Sequence, residues 1–124
     1  MVILFLIISS ISKSIMDILS FHYYDSIFSK IKNGKWWNPE ISWKNKWKND
    51  DPTQGERFVG SSTFLVWVTD AWHFFQHIMI LSFILSIVVY VPIFGFIVDF
   101  LLLYLIYTCT FELFFSKIFK SNKK

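Results

Sequence analysis

Residues 58–116 read FVGSSTFLVWVTDAWHFFQHIMILSFILSIVVYVPIFGFIVDFLLLYLIYTCTFELFFS, and only Asp70, Asp99 and Glu112 carry charge within them. A water-soluble domain of this size has one small core and cannot bury so long an apolar run. As a single helix, residues 62–116 would measure roughly 80 Å against a hydrocarbon core of about 30 Å. The run must therefore fold back once. Pro92 and Gly95 are its strong breakers, which puts the turn at Val91–Phe96. Ser61 and Ser62 stand where an N-cap is wanted. The stretch predicts a helical hairpin over 62–90 and 96–117.

The rest of the chain agrees with a membrane protein. Of 124 residues, 54% are hydrophobic and 17% charged, below the roughly one quarter usual in soluble chains, and the mean hydropathy is +0.47. A soluble enzyme, a disordered tail and a disulfide-framed secreted module all fit this composition poorly. Residues 2–19 are mostly apolar. No basic segment precedes them and no small-residue cleavage site follows, so they do not read as a signal peptide. Lys13 and Asp17, four apart, share a helix face and can neutralise one another. The expectation is a first membrane helix over residues 2–24, with an amphipathic helix lying at the interface as the alternative.

Residues 29–61 form the polar region, with Asn33-Gly34, Asn38-Pro39, Asp51-Pro52 and Gly55 as turn signals. Trp36, Trp37, Trp43 and Trp47 punctuate its lysines, a combination that favours the headgroup layer. Seven basic residues fall between Lys30 and Arg57, and four more between Lys117 and Lys124. Topology accounts for both clusters by the positive-inside rule, without nucleic acid. The chain is thus read as one all-α integral membrane domain with three transmembrane helices, an interfacial Trp/Lys-rich loop and a basic tail over 117–124. Its amino end lies outside and its carboxyl end in the cytoplasm, as a multi-pass protein of the cell's inner membrane.

Ionisable residues within spans are costly and each needs a reason. Asp70, His73 and His77 fall within one helical sector of roughly 60°. One helix would then offer a carboxylate and two imidazoles to a single ion, a set suited to iron, manganese or zinc. In the three-span arrangement Asp17, His22 and Glu112 reach the same depth, giving six candidate metal ligands on three helices. Haem is a weaker variant, since His73 and His77 share a helix and His22 would have to supply the opposite axial ligand. Two other accounts stand beside the metal. One is structural packing, with paired or protonated carboxylates and Asp70 capping a helix that starts later. The other is a proton or ion path. Asp99 reads as a protonated helix–helix contact. Cys109, the single cysteine, has no basic neighbour to activate it and excludes an internal disulfide. No phosphate-binding glycine loop, serine elbow or zinc-protease motif is present.

The stretches Ser14-Ile-Met-Asp17 to His22, Trp37-Asn-Pro39, Ile41-Ser-Trp-Lys-Asn-Lys46, Pro52 to Phe58, and Thr69-Asp-Ala-Trp-His-Phe-Phe-Gln76 resemble a family of small bacterial integral-membrane proteins with no assigned activity. The likeness covers roughly residues 10–80. It implies a bacterial membrane location and carries over neither a reaction nor a site. Three functions remain open at this point: a small accessory or structural subunit, joining a larger membrane protein or its own copies; a membrane-embedded metal protein or enzyme; and a proton or ion-conducting element.

Overall fold

The structure, a computed structural model, describes residues 1–121. Those residues are helical apart from turns and two isolated bridges, Ser26–Lys120 and Trp47–Glu56. Three helices are long and apolar enough to cross a membrane. They are α1 (Val2–Phe21), α2 (Ala71–Val88) and α3, which runs from Phe96 to Glu112 and continues as a wider π-helical segment to Phe119. Their lengths correspond to about 30, 27 and 36 Å at the α-helical rise, against a hydrocarbon core of about 30 Å.

α1 is the hub. α2 and α3 each pack on it rather than on one another. The reason lies in its serines: Ser9, Ser10, Ser12 and Ser14 are all buried, and Ser82 and Ser86 of α2 are buried too. Small side chains let helix backbones approach closely. Two of the serines also bond across the interface, Ser9 Oγ donating to the Met79 carbonyl at 3.1 Å and Ser10 Oγ to the Tyr107 carbonyl at 2.6 Å. α1 is thereby pinned to both neighbours.

The apolar core is concentrated at the C-terminal end of α1. Ile15, Ile18, Leu19 and Tyr23 meet Phe28, Ala71 and Phe119 there, with Trp36, Trp37 and Phe75 packed against them. Phe28 stacks on Trp37 with ring centroids 4.9 Å apart and also meets Phe119 at 5.2 Å. The carboxyl end returns to the same place, as the Ser121 N–H donates to the Asp25 carbonyl at 2.6 Å. The described part of the basic tail thus sits beside the basic loop; Asn122, Lys123 and Lys124 of that tail lie outside the described residues.

The hairpin turn is held by Asp99. Its carboxylate is 5% exposed and accepts from the Tyr90 hydroxyl at 2.9 Å and the N–H groups of Ile93 at 2.8 Å and Phe94 at 3.1 Å. Gly95 lies between these donors and α3 with φ of 107°, a conformation that L side chains rarely adopt. The protonated helix–helix contact expected of Asp99 is therefore corrected: the group acts within one hairpin, as an acceptor for three donors. A carboxylate supplies only acceptors, which is what this turn requires.

Two helix boundaries also differ from expectation. The first helix ends at Phe21, where the backbone of His22 leaves the helical region at φ −138°. The second starts at Ala71 rather than at residue 62. Ser61 and Ser62 do not cap it: Ser61 Oγ donates to the Lys46 carbonyl at 2.7 Å, and Ser62 Oγ bonds the Glu56 carboxylate. Residues 61–69 are thereby drawn onto the polar loop as turns. The Trp/Lys loop itself is more folded than a surface anchor would be, since Trp36 and Trp37 pack against Phe74 and Phe75 of α2.

Candidate functional site

Asp70 ends the loop in an extended conformation, φ −154° and ψ 162°, and its side chain is the N-cap of α2. Oδ1 accepts from the His73 N–H at 2.9 Å, while Oδ2 faces His73 Nδ1 at 2.7 Å and the Thr69 hydroxyl at 3.3 Å. With Asp70 as the carboxylate, Nδ1 of His73 carries the donated proton. Cap and imidazole pair are one unit: the residue that starts the helix also orients the first histidine on it.

The other four candidate ligands go to separate partners. His77 stacks on the Trp67 indole, centroids 4.8 Å apart and planes 15° apart. His22 meets the Phe115 ring edge-on at 5.5 Å. Asp17 forms its ion pair with Lys13, whose ammonium lies 6.0 Å over the Phe111 ring. Glu112 bonds Ser116 one turn along α3. His73 itself is flanked by Trp72 at 5.1 Å, and the Trp72 N–H donates to Ser20 Oγ on α1 at 2.9 Å. Among the described residues, no three His, Cys, Asp or Glu side chains are grouped to hold a metal ion. Of the six, the structure brings together Asp70 and His73 as a bonded pair.

No known protein family, curated protein or solved structure matches this chain. Its chemistry is accordingly read from its own geometry.

Two hollows complete that geometry. At the end away from the polar loop, the splay between α2 and α3 leaves an apolar cavity of about 480 Å³, lined by Leu6, Phe83, Tyr90, Phe96, Phe100 and Tyr107 among others. At the loop end, a smaller recess of about 230 Å³ is lined by Lys35, Trp36, Asn45, Arg57 and Phe58 among others. The sequence points to neither. Helix periodicity gives faces but not the gap left when two helices both lean on a third. The recess depends on Asn45, one of several loop asparagines with nothing in the local pattern to single it out.

Two carboxylates of the loop have clear structural roles. Asp51 accepts from the Thr53 N–H at 2.9 Å, the Thr53 hydroxyl at 2.8 Å and the Gln54 amide at 3.1 Å. The bond from the Thr53 amide, then those from the Thr53 and Gln54 side chains, hold its pKa below the ordinary value. Glu56 accepts from the Ser62 hydroxyl and from the N–H groups of Gly60 at 3.0 Å and Ser62 at 3.1 Å. Its pKa is lowered in the same way, the Ser62 hydroxyl first.

Proposed function

We propose that this protein is a three-span membrane protein of the inner membrane, amino end outside and carboxyl end in the cytoplasm, serving as an accessory subunit of a larger membrane assembly. The basic loop and the start of the basic tail meet at one end of the bundle, which supports a common cytoplasmic side for both. The accessory role rests chiefly on Glu112. It lies on the exposed side of α3, seven residues or about 10 Å before the end of the span, bonded to the Ser116 hydroxyl. A carboxylate facing lipid is unfavourable, and intramembrane ionisable residues usually face a partner or a polar cavity. A neighbouring transmembrane helix with a basic or hydrogen-bonding side chain would satisfy it. The exposed apolar faces of α2 and α3, with Phe83, Ile84, Leu101 and Leu105, provide the surrounding contact area.

The test is native gel migration after extraction in mild detergent, with Glu112→Gln and Glu112→Leu beside the wild type. The wild-type chain should migrate in a complex whose mass is not a multiple of 14.8 kDa. Glu112→Leu should release the chain from that complex, and Glu112→Gln should release part of it. A monomer, a homo-oligomer, or an assembly indifferent to Glu112→Leu would overturn the reading. The metal alternative has no observation of comparable weight, because among the described residues no three His, Cys, Asp or Glu side chains are grouped to hold a metal ion.

A further inference from the structure

The recess beside the start of α2 has walls of Trp36 and Phe58, and its polar lining is Asn33, Lys35, Asn45, Arg57 and Thr69. The two cations differ. Lys35 is ion-paired to Asp50 at 2.7 Å. Among the described residues, no ion pair involves Arg57, whose backbone N–H is used by the Lys46 carbonyl at 2.9 Å while its guanidinium is free to reach a ligand. A guanidinium offers a planar fork of donors that matches phosphate oxygens two at a time.

Asn45 ties two residues of the lining together. It is 6% exposed, and its Nδ2 donates to the carbonyls of Lys35 at 2.7 Å and Thr69 at 2.9 Å. Both acceptors are carbonyls, so the amide can be oriented only one way. Oδ1 is then left buried with no partner among the described residues. Folded proteins rarely keep a buried acceptor unpaired, because the group has given up its water without replacement. That oxygen is closed off, so what the recess itself offers a ligand is an uncommitted guanidinium and a second cation between two aromatic walls.

We propose that this recess binds a phosphate group, with the Arg57 guanidinium and the Lys35 ammonium on its oxygens. A glycerophospholipid headgroup has that chemistry, and so does a small soluble phosphate ester. The lipid source rests on the membrane reading above; the phosphate chemistry does not.

The experiment is a thermal-shift and equilibrium-binding titration of the full chain in an uncharged maltoside detergent, at fixed ionic strength. The probes are short-chain phosphatidylglycerol, short-chain phosphatidylcholine and glycerol phosphate. Phosphatidylglycerol should bind saturably. Phosphatidylcholine, whose choline balances the phosphate charge, should bind more weakly. Arg57→Gln should weaken binding about tenfold, the scale of losing a charge-assisted bond, with Arg57→Lys falling between. Lys48→Gln removes the same charge from the loop outside the recess lining and should leave binding unchanged. Saturable binding of glycerol phosphate with the same Arg57 dependence assigns the site to a soluble ester; binding of the lipid alone assigns it to a headgroup. A membrane topology that failed while glycerol phosphate still bound would remove the lipid source and keep the site. Equal losses from Arg57→Gln and Lys48→Gln would mean diffuse surface charge, and that result, or no saturable binding by any probe, overturns the proposal.

Discussion

Asp70 is 2% exposed, yet both of its oxygens are engaged, one on the α2 backbone and the other on the imidazole ring and the Thr69 hydroxyl. That arrangement separates a cap from a ligand site. Asp70→Asn keeps an acceptor for the His73 N–H, since Asn and Asp cap about equally well, and loses only the bond at Oδ2. Asp70→Ala loses both, and should be less stable than Asp70→Asn by about 1 kcal/mol, the usual worth of an N-cap. Unfolding of the two variants, followed with and without a chelator, checks this. The order should survive chelation, whereas equal losses that vanish with chelator would make Asp70 a metal ligand instead. The sequence carried the ingredients of this outcome: the sector shared by Asp70, His73 and His77 is what helix periodicity requires. It could not show that Trp67 would stack on His77 or that Trp72 would meet His73 edge to face, because neither indole is in helical register with its partner. Asn45 lies beyond sequence reasoning for a related reason. Its two acceptors come from positions 35 and 69, and only the folded loop brings them together.

Between Trp47 and Thr69 the loop is built from carboxylates that gather backbone N–H groups, and this moved the start of α2. A serine pair before an apolar run looks like a cap, but Glu56 six residues earlier takes the Ser62 amide and hydroxyl first. Competition at that range is invisible to a reading that looks three or four residues ahead. The hairpin turn near Pro92 was legible because proline and glycine act locally; the role of Asp99 in holding it was not. The same carboxylates give the loop a pH dependence. Asp51 and Glu56 both have pKa values below their ordinary range in the folded chain. Groups depressed on folding contribute stability that is fully present above their unfolded values, near 4, and is lost as pH falls through the folded values. Amide hydrogen exchange at Thr53, Gly60 and Ser62 should therefore be slow relative to an unfolded reference at pH 6 and lose that protection on acidification below about pH 4. Protection within α2 should persist over the same interval, since its core contacts involve no titrating group at the loop surface. Simultaneous loss in loop and helix would show that the loop is not a separable unit.

At the scale of the molecule, one end is closed and the other open. The closed end gathers the polar loop, the C-terminal end of α1, the start of α2 and the end of α3 around Phe28, Trp37 and Phe119. The open end holds the hairpin turn and the apolar cavity. All the loop lysines belong to the closed end, while the turn at 91–96 has no charge at all. By the positive-inside rule, the proposed orientation puts the closed end in the cytoplasm. Cysteine reporters in a Cys109→Ser background decide it. A cysteine at Lys48 or Ser121 should be shielded from a membrane-impermeant maleimide in intact cells and label after the membrane is opened, and one at Gly95 should label at once. Cys109 is exposed on α3, which is why it must first be removed. The Gly95 reporter is read by accessibility alone, because a side chain at φ 107° strains the turn. Lys48 and Ser121 on opposite sides would contradict the closed end itself, since the bridge between Ser26 and Lys120 cannot form across a bilayer. Labelling of Lys48 and Ser121 from outside, with Gly95 shielded, would leave the fold standing but invert the reading of its charge. Labelling of none would place α1 and the hairpin on the membrane rather than through it, and Glu112 would then face the headgroups, with no need of a partner helix.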